Sequence, residues 1–408
     1  MTSPRASSAG VPVALLTVAI DAMGIGIVFP VMPDLLLSLG SETVANAALW
    51  GGVLSTLYAA MQFLFSPLLG ALSDRFGRRP IMLTSLLAMA IDYVILSFAG
   101  GLVILLVGRA VAGVAGATYA TATAYIADVS DTTERARRFG LVGAVFGLGF
   151  VLGPALGGLV GEWHVRAPFM LAAALAALNW LLAIWFLPES LPRELRRPFE
   201  WHRANPIGAL VRALALTRLR WLFTGFLLFT LGNHVYVTIW SFWGKATFGW
   251  SVGTIGISLA MYGLGMAIVQ GAMVRPVVAR LGEARTIVVG LVFGAAAGFG
   301  FGFVTVGWIA LALIPLAALS ELAVPALTSM MSNRVGDDEQ GELQGVLASL
   351  TAVAAVLMPP VATGLFYAFT HPASSISLPG APFLLVLLLV GLCIPVMWRS
   401  LFEADPDE

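Results

Sequence analysis

Charged side chains are the first thing this sequence is short of. Of its 408 residues 11% are Asp, Glu, Lys or Arg, against 59% hydrophobic. Water-soluble domains carry about 25% charged and about 45–50% apolar residues, so the composition excludes a soluble globular domain. Lysine is almost missing, with Lys245 the single example. No GxxxxGK[ST] segment occurs, so the chain lacks the loop and lysine that cradle ATP phosphates. One cysteine, Cys393, excludes an intramolecular disulfide and any cysteine-based metal cluster. A formal net charge of +0 leaves no basic domain to neutralise a phosphate backbone, which argues against a nucleic-acid partner. No Ser, His and Asp set stands in a nucleophile-elbow context, and no metal-ligand constellation is present, so an enzyme is not expected.

What the sequence does have is long apolar runs. A helix needs about 20 residues to cross the hydrocarbon core of a bilayer, and twelve such stretches can be read. They lie near 11–36, 48–70, 80–99, 101–126, 139–160 and 167–187, then 221–243, 251–274, 286–305, 307–330, 344–368 and 381–402. Unpaired backbone groups are costly in lipid, and runs such as LLVLLLVGLCIPVMW show no strand alternation, so each stretch is predicted helical. The expected fold is an all-α membrane protein of twelve transmembrane helices. The polar start MTSPRASSAG and the sequence after the first run show no cleavage site, so the first run is expected to be a retained span.

Basic residues orient the spans. Arg75, Arg78 and Arg79, then Arg135, Arg137 and Arg138, and Arg275, Arg280 and Arg285 fall in alternate loops. Seven more, from Arg193 to Arg220, lie between the sixth and seventh spans, while the opposite side shows only Arg166 and Lys245. The positive-inside rule then predicts cytoplasmic termini and a cytoplasmic central loop. That loop, PESLPRELRRPFEWHRANP, reads as a linker, giving residues 1–187 as an N-terminal six-helix bundle, 188–220 as linker and 221–408 as a C-terminal bundle. An internal repeat supports the division. RFGRRP at Arg75 recurs as RLGEAR at Arg280, and Gly140 to Pro154 recurs as Gly345 to Pro359, both offset by 205 residues. Parallel six-span repeats are the plan of the major facilitator fold.

Polar residues inside apolar runs are the site candidates. Asp21 and Asp92 lie mid-span, where an ionised carboxylate costs at least about 2.5–3.5 kcal/mol. Each must face a cavity, pair with a neighbouring helix, or carry a proton. A carboxyl withdrawn from water favours its neutral form, as a group that loads and releases protons requires. Arg109, in GRAVAGVAGA, either acts in coupling and gating or snorkels toward a helix end. Glu321, in LSELAVPALTS, is the comparable acid of the second half, and reads either as a coupling group or as a satisfied acid nearer the surface. Asn233 and His234 form a polar pair in the seventh span, with His234 able to accept a proton near neutral pH. Tyr119, Tyr125, Tyr236, Trp240 and Trp243 offer rings that could stack on a flat drug or belong to the interfacial belt. In GALSDRFGRRP, Gly70 and Gly77 permit a tight turn, and Asp74 can accept from Arg75, Arg78 or Arg79. In GLGFVLGPALGG, the spacing of Gly149, Gly153, Gly157 and Gly158 strips bulk from a helix face, and Pro154 bends the helix.

Taken together, DAMGIGIVFPVMPDLL, LSDRFGRRP, AIDYVILSFA, GRAVAGVAGAT and FGLGFVLGPALGGLVGE resemble the tetracycline efflux proteins, drug/proton antiporters of the major facilitator superfamily. The resemblance runs over the full length and thins in the second half. It implies a proton-coupled exporter of drugs, tetracyclines first, working by alternating access in the bacterial inner membrane. An exporter of another drug or a metabolite is the alternative. Carried over by position, it makes Asp21, Asp92 and Arg109 intramembrane coupling groups and Gln62 a polar substrate position. It makes Gly70, Asp74, Arg75, Gly77, Arg78 and Arg79 a conformational gate loop, and the glycines with Pro154 the exporter motif. Ala295 and Met266 stand where the family often has an Asp and a His. The resemblance implies no cofactor, a proton gradient as energy source, a small-molecule substrate that travels with or without a divalent cation, and no obligatory protein partner.

Overall fold

The computed structural model describes residues 10–116, 118–199, 208, 217–336 and 339–402. Arg5, Arg203, Arg212 and most of the linker from 200 to 216 lie outside the described residues. Among the described residues every regular element is helical. The helices of the first half are α1 Val11–Val28, α2 Met32–Ser38, α3 Val44–Phe76, α4 Arg78–Ser97, α5 Leu102–Ala115, α6 Thr118–Asp128, α7 Thr132–Gly161 and α8 Ala167–Phe186. Those of the second half are α9 Arg220–Phe248, α10 Val252–Ile268, α11 Val274–Phe303, α12 Gly307–Leu319, α13 Ala323–Ser332, α14 Gln340–Thr370 and α15 Ala381–Phe402.

Eleven of the helical runs are long and apolar enough to cross a membrane. One of them, Val252–Phe303, has 52 residues, which at about 1.5 Å per residue is more than twice the hydrocarbon thickness. It breaks at Gly282, whose φ of 77° and ψ of 167° are not helical. The run therefore comprises two spans, and the total among the described residues is the twelve that the apolar runs predict. Gly77, 205 residues earlier, has the matching φ of 107° and ψ of 158°, so the sequence repeat extends to backbone dihedrals that favour glycine. The first span is shorter than expected. Pro30 and Pro33 follow its end at Val28, and the ring of proline, lacking an N–H, breaks the run so that Met32–Ser38 forms a separate helix.

The described chain divides into two compact units. The first comprises the chain up to Leu39, Leu57–Pro206 and Val252–Ala260, and the second comprises Gly40–Thr56, Ile207–Ser251 and the chain from Met261. Inside the first unit, α1 and α7 pack backbone to backbone. A side chain at Gly149, Gly153 or Gly157 would strike the carbonyls of Ala19, Met23 and Ile27 respectively, so one glycine every fourth residue brings the helices together. Pro154 lies against Gly26, while Gly158 faces Gly256 of α10. Thr17 donates to Asn179 of α8 at 3.1 Å, fully buried. Along α5, Val103, Ile104, Val107 and Val111 are exposed while Leu105, Gly108 and Ala112 are buried, the two faces of a lipid-bordering helix. Inside the second unit, Trp240, Trp243, Phe301 and Phe383 form an aromatic core with ring centroids 4.8–6.3 Å apart.

Candidate functional site

Two buried carboxylate centres stand out, one in each unit. The first is built on α4 and α5. Asp92 is completely buried, and its Oδ2 lies 3.0 Å from Arg109 Nη2. Gly108 permits this approach, because a Cβ there would sit 2.6 Å from Asp92 Oδ1. That Oδ1 has no hydrogen-bond partner. The Arg109 guanidinium stands 5.9 Å from the centre of the Tyr58 ring. Tyr58 and Gln62 lie four residues apart on α3 and so share a face, and Gln62 donates to the Gly116 carbonyl at 3.0 Å. Tyr93 of α4 reaches α1 one turn beyond Asp21, where a Cβ on Gly24 would strike its hydroxyl. Asp92 and Arg109 are thus one buried ion pair, with Tyr58 of α3 beside the cation.

The second centre surrounds Glu321, which is 6% exposed. Its Oε1 accepts from Tyr262 Oη at 2.8 Å and from Asn233 Nδ2 at 3.2 Å, and its Oε2 accepts from Gln270 Nε2 at 3.3 Å. His234, beside Asn233, turns its Nδ1 to the Thr230 carbonyl of its own helix at 2.9 Å. Tyr236 and Trp240 belong to the aromatic core, with the Tyr236 ring 5.9 Å from Phe301 and 5.3 Å from Phe383. In the first unit Tyr119 is half-exposed with its ring edge-on to Phe146 at 5.3 Å, apart from the Asp92 centre. Among the described residues no group of three or more His, Cys, Asp or Glu could hold a metal ion.

At the end of α3 and start of α4 the gate-loop residues join a third network. Arg78 pairs with Asp74 at 2.7 Å and with Asp128 of α6 at 3.0 Å, and Ser190 also donates to Asp128 at 3.0 Å. Glu189 Oε1 accepts the backbone N–H groups of Arg78, Ser190 and Leu191 at 2.9–3.0 Å, which caps the first turn of α4 with a negative charge. Gly77 leaves room for this carboxylate, since a Cβ would strike Glu189 and Arg196. Arg79 donates to the Ile184 carbonyl at 2.8 Å. Gly70 accepts from Ser73 through its carbonyl. The Arg75 guanidinium lies over Phe76 at 5.1 Å.

The family model described as Major Facilitator Superfamily matches residues 14–359, and matches again over 236–408. The chain belongs to the Major Facilitator Superfamily. Among superfamily relatives it is 42% identical to the tetracycline resistance protein, class C, of Escherichia coli, covering 95% of this chain and 96% of that protein. It is 40% identical to the class G protein of Vibrio anguillarum over the same shares. Among solved superfamily structures, the human organic anion transporter MFSD10 (TETRAN) matches with a TM-score of 0.71 and 25% identity, over 95% of this chain and 98% of that one. The superfamily consists of transporters rather than enzymes.

Several residues of these centres escape the sequence reading. Tyr58, Tyr93, Tyr262, Gln270, Asp128 and Glu189 were not singled out, though Tyr58 stands four residues before Gln62 and Gln270 is an amide in an apolar run. Those two signals, a shared face and an isolated polar group at membrane depth, were available to find them.

Proposed function

We propose that the chain exports drugs, tetracyclines first, in exchange for protons, alternating access between the two sides of a bacterial inner membrane with both termini in the cytoplasm. The observation that carries this is the buried Asp92–Arg109 pair, with a second acid, Asp21, on α1 of the same unit. A proton bound by Asp92 would release Arg109 to the second acid, so one proton changes which charges pair, and a change of partner is what couples a gradient to a change of shape. The proposal needs no cofactor and no protein partner; substrate, protons and bilayer suffice. The gate network of Asp74, Arg78 and Asp128 would set the balance between conformations. Expression in a tetracycline-susceptible bacterium tests the reading. Resistance that a protonophore removes supports it, and the absence of resistance at normal expression overturns the substrate, while resistance indifferent to the protonophore overturns the coupling ion.

A further inference from the structure

The fourth span of each repeat tightens near the same place. In the first unit α5 ends at Ala115, with Gly116 as its cap, and α6 begins at Thr118. In the second unit a 3₁₀ turn, Ser320–Leu322, separates α12 from α13. Gly116 and Glu321 are 205 residues apart, the offset of the repeat. The two turns differ in chemistry. Gly116 offers a carbonyl already taken by Gln62, whereas Glu321 offers a carboxylate.

The partners of that carboxylate are all neutral donors, one hydroxyl and two amides. Three N–H or O–H groups aimed at one carboxylate suit its ionised form, because the neutral acid has its own proton to place and fewer lone pairs to fill. Among the described residues no Arg, Lys or His makes an ion pair with Glu321, and His234 is committed to Thr230. A buried anion held only by dipoles is expensive unless a cation completes it. Asp92 has that cation built in, as Arg109. Glu321 has none. A carboxylate has about four acceptor directions. Oε1 uses two and Oε2 one, so one direction on Oε2 stays open. The Tyr236 hydroxyl of α9 is likewise buried and without a hydrogen bond.

We propose that Glu321, oriented by Tyr262, Gln270 and Asn233, is the subsite that takes the protonated amine of an amphipathic drug. A tertiary ammonium brings one positive charge and one N–H, which match the missing counter-charge and the single open acceptor direction. The inference rests on the drug-export reading and refines it: Glu321 serves as a fixed counter-charge for substrate, and proton exchange runs through Asp21 and Asp92.

The test uses the full-length protein, titrated in detergent and then reconstituted in vesicles, with two probes: tetracycline, which bears a dimethylammonium group, and 4-dedimethylaminotetracycline, which lacks it. Wild type is expected to bind tetracycline at least about tenfold more tightly than the deaminated probe, the preference that one charge-assisted hydrogen bond supplies. Glu321→Gln is expected to erase that preference by weakening tetracycline alone, and to keep proton release with whichever probe it transports. The wild-type preference needs no variant, so poor accumulation of Glu321→Gln leaves the proposal testable. Equal affinity of wild type for both probes overturns the subsite, and so does an equal loss of both in Glu321→Gln or a variant that binds tetracycline but releases no protons. Failure of the export reading looks different: wild type would discriminate between the probes in detergent yet move neither across the vesicle membrane.

Discussion

At the scale of single residues, an ion pair buried between two helices answers differently to the loss of one member and of both. Asp92 is completely buried and the Arg109 side chain is 15% exposed, and removing one partner of a buried pair costs about 3–5 kcal/mol because the other charge stays behind unpaired. Asp92→Asn should therefore lower the amount of folded protein that detergent extraction recovers. The double variant Asp92→Asn with Arg109→Gln should restore the yield while leaving drug-driven proton release lost, measured in vesicles. If the double variant released protons as wild type does, the pair would be structural only. Asp21 is a cleaner probe, being half-buried and without an ion pair among the described contacts. Asp21→Asn keeps the shape, so it should leave drug binding within about twofold and abolish gradient-driven export; undiminished export at normal expression would remove Asp21 from the coupling set. That Asp21, Asp92 and Glu321 lie within apolar helices was legible from the runs around them. Which partners they have was not. Glu321 meets Asn233, Tyr262 and Gln270 from 88, 59 and 51 residues away, and no local pattern encodes contacts made only when distant helices pack.

At the scale of elements, glycine on α7 has two meanings that the sequence alone does not separate. Gly140, Gly143 and Gly147 face open space, whereas Gly149, Gly153 and Gly157 meet the backbone of α1. An added methyl at Gly157 would press on the Ile27 carbonyl and, at 2.8 Å, on its Cα. Backbone cannot move aside as a flexible side chain can, and overpacking of this kind costs about 1–3 kcal/mol. Gly157→Ala should then lower the melting midpoint of the detergent-solubilised protein by several degrees, while Gly147→Ala leaves it unchanged. A shared shift in both variants would point to helix propensity and not to the α1 seam. The number and order of spans were legible because lipid imposes a length on every apolar run, but the interruptions were less so. The end of α1 follows from Pro30, whereas the turns at Gly116 and Ser320–Leu322 have no proline within them; the groups that meet them, Gln62, Asn233 and Tyr262, come from α3, α9 and α10 and arrive only in the folded chain.

At the scale of the whole molecule, the repeat is faithful in backbone and unfaithful in charge. Gly77 and Gly282 share their positive φ, yet the contact beside each has changed. Arg78 meets Asp128 at 3.0 Å in the first half, and the residues 205 positions later, Glu283 and Asn333, meet at 3.1 Å. One is an ion pair and the other an acid accepting from an amide, so the two gate loops hold their helices with unequal strength and unequal sensitivity to salt. The same asymmetry separates the buried centres, where Asp92 has Arg109 and Glu321 has neutral donors. A gate contact that biases conformation without touching substrate should change turnover more than affinity. Arg78 stands between two acids, Asp74 and Asp128, so Arg78→Ala removes both ion pairs, Asp74→Ala leaves one, and Glu283→Ala removes contacts with two neutral donors, Ser329 and Asn333. Turnover in vesicles should fall in that order, by at least about fivefold for Arg78→Ala, while drug affinity stays within about twofold in all three. Raising the salt concentration should narrow the gap between wild type and Asp74→Ala, because the Asp74 side chain is 41% exposed and its attraction to Arg78 is open to screening. Parallel losses of affinity and turnover would instead place this loop at the substrate, and a gap untouched by salt would make Asp74 a hydrogen-bonding group and not a charge in the gate.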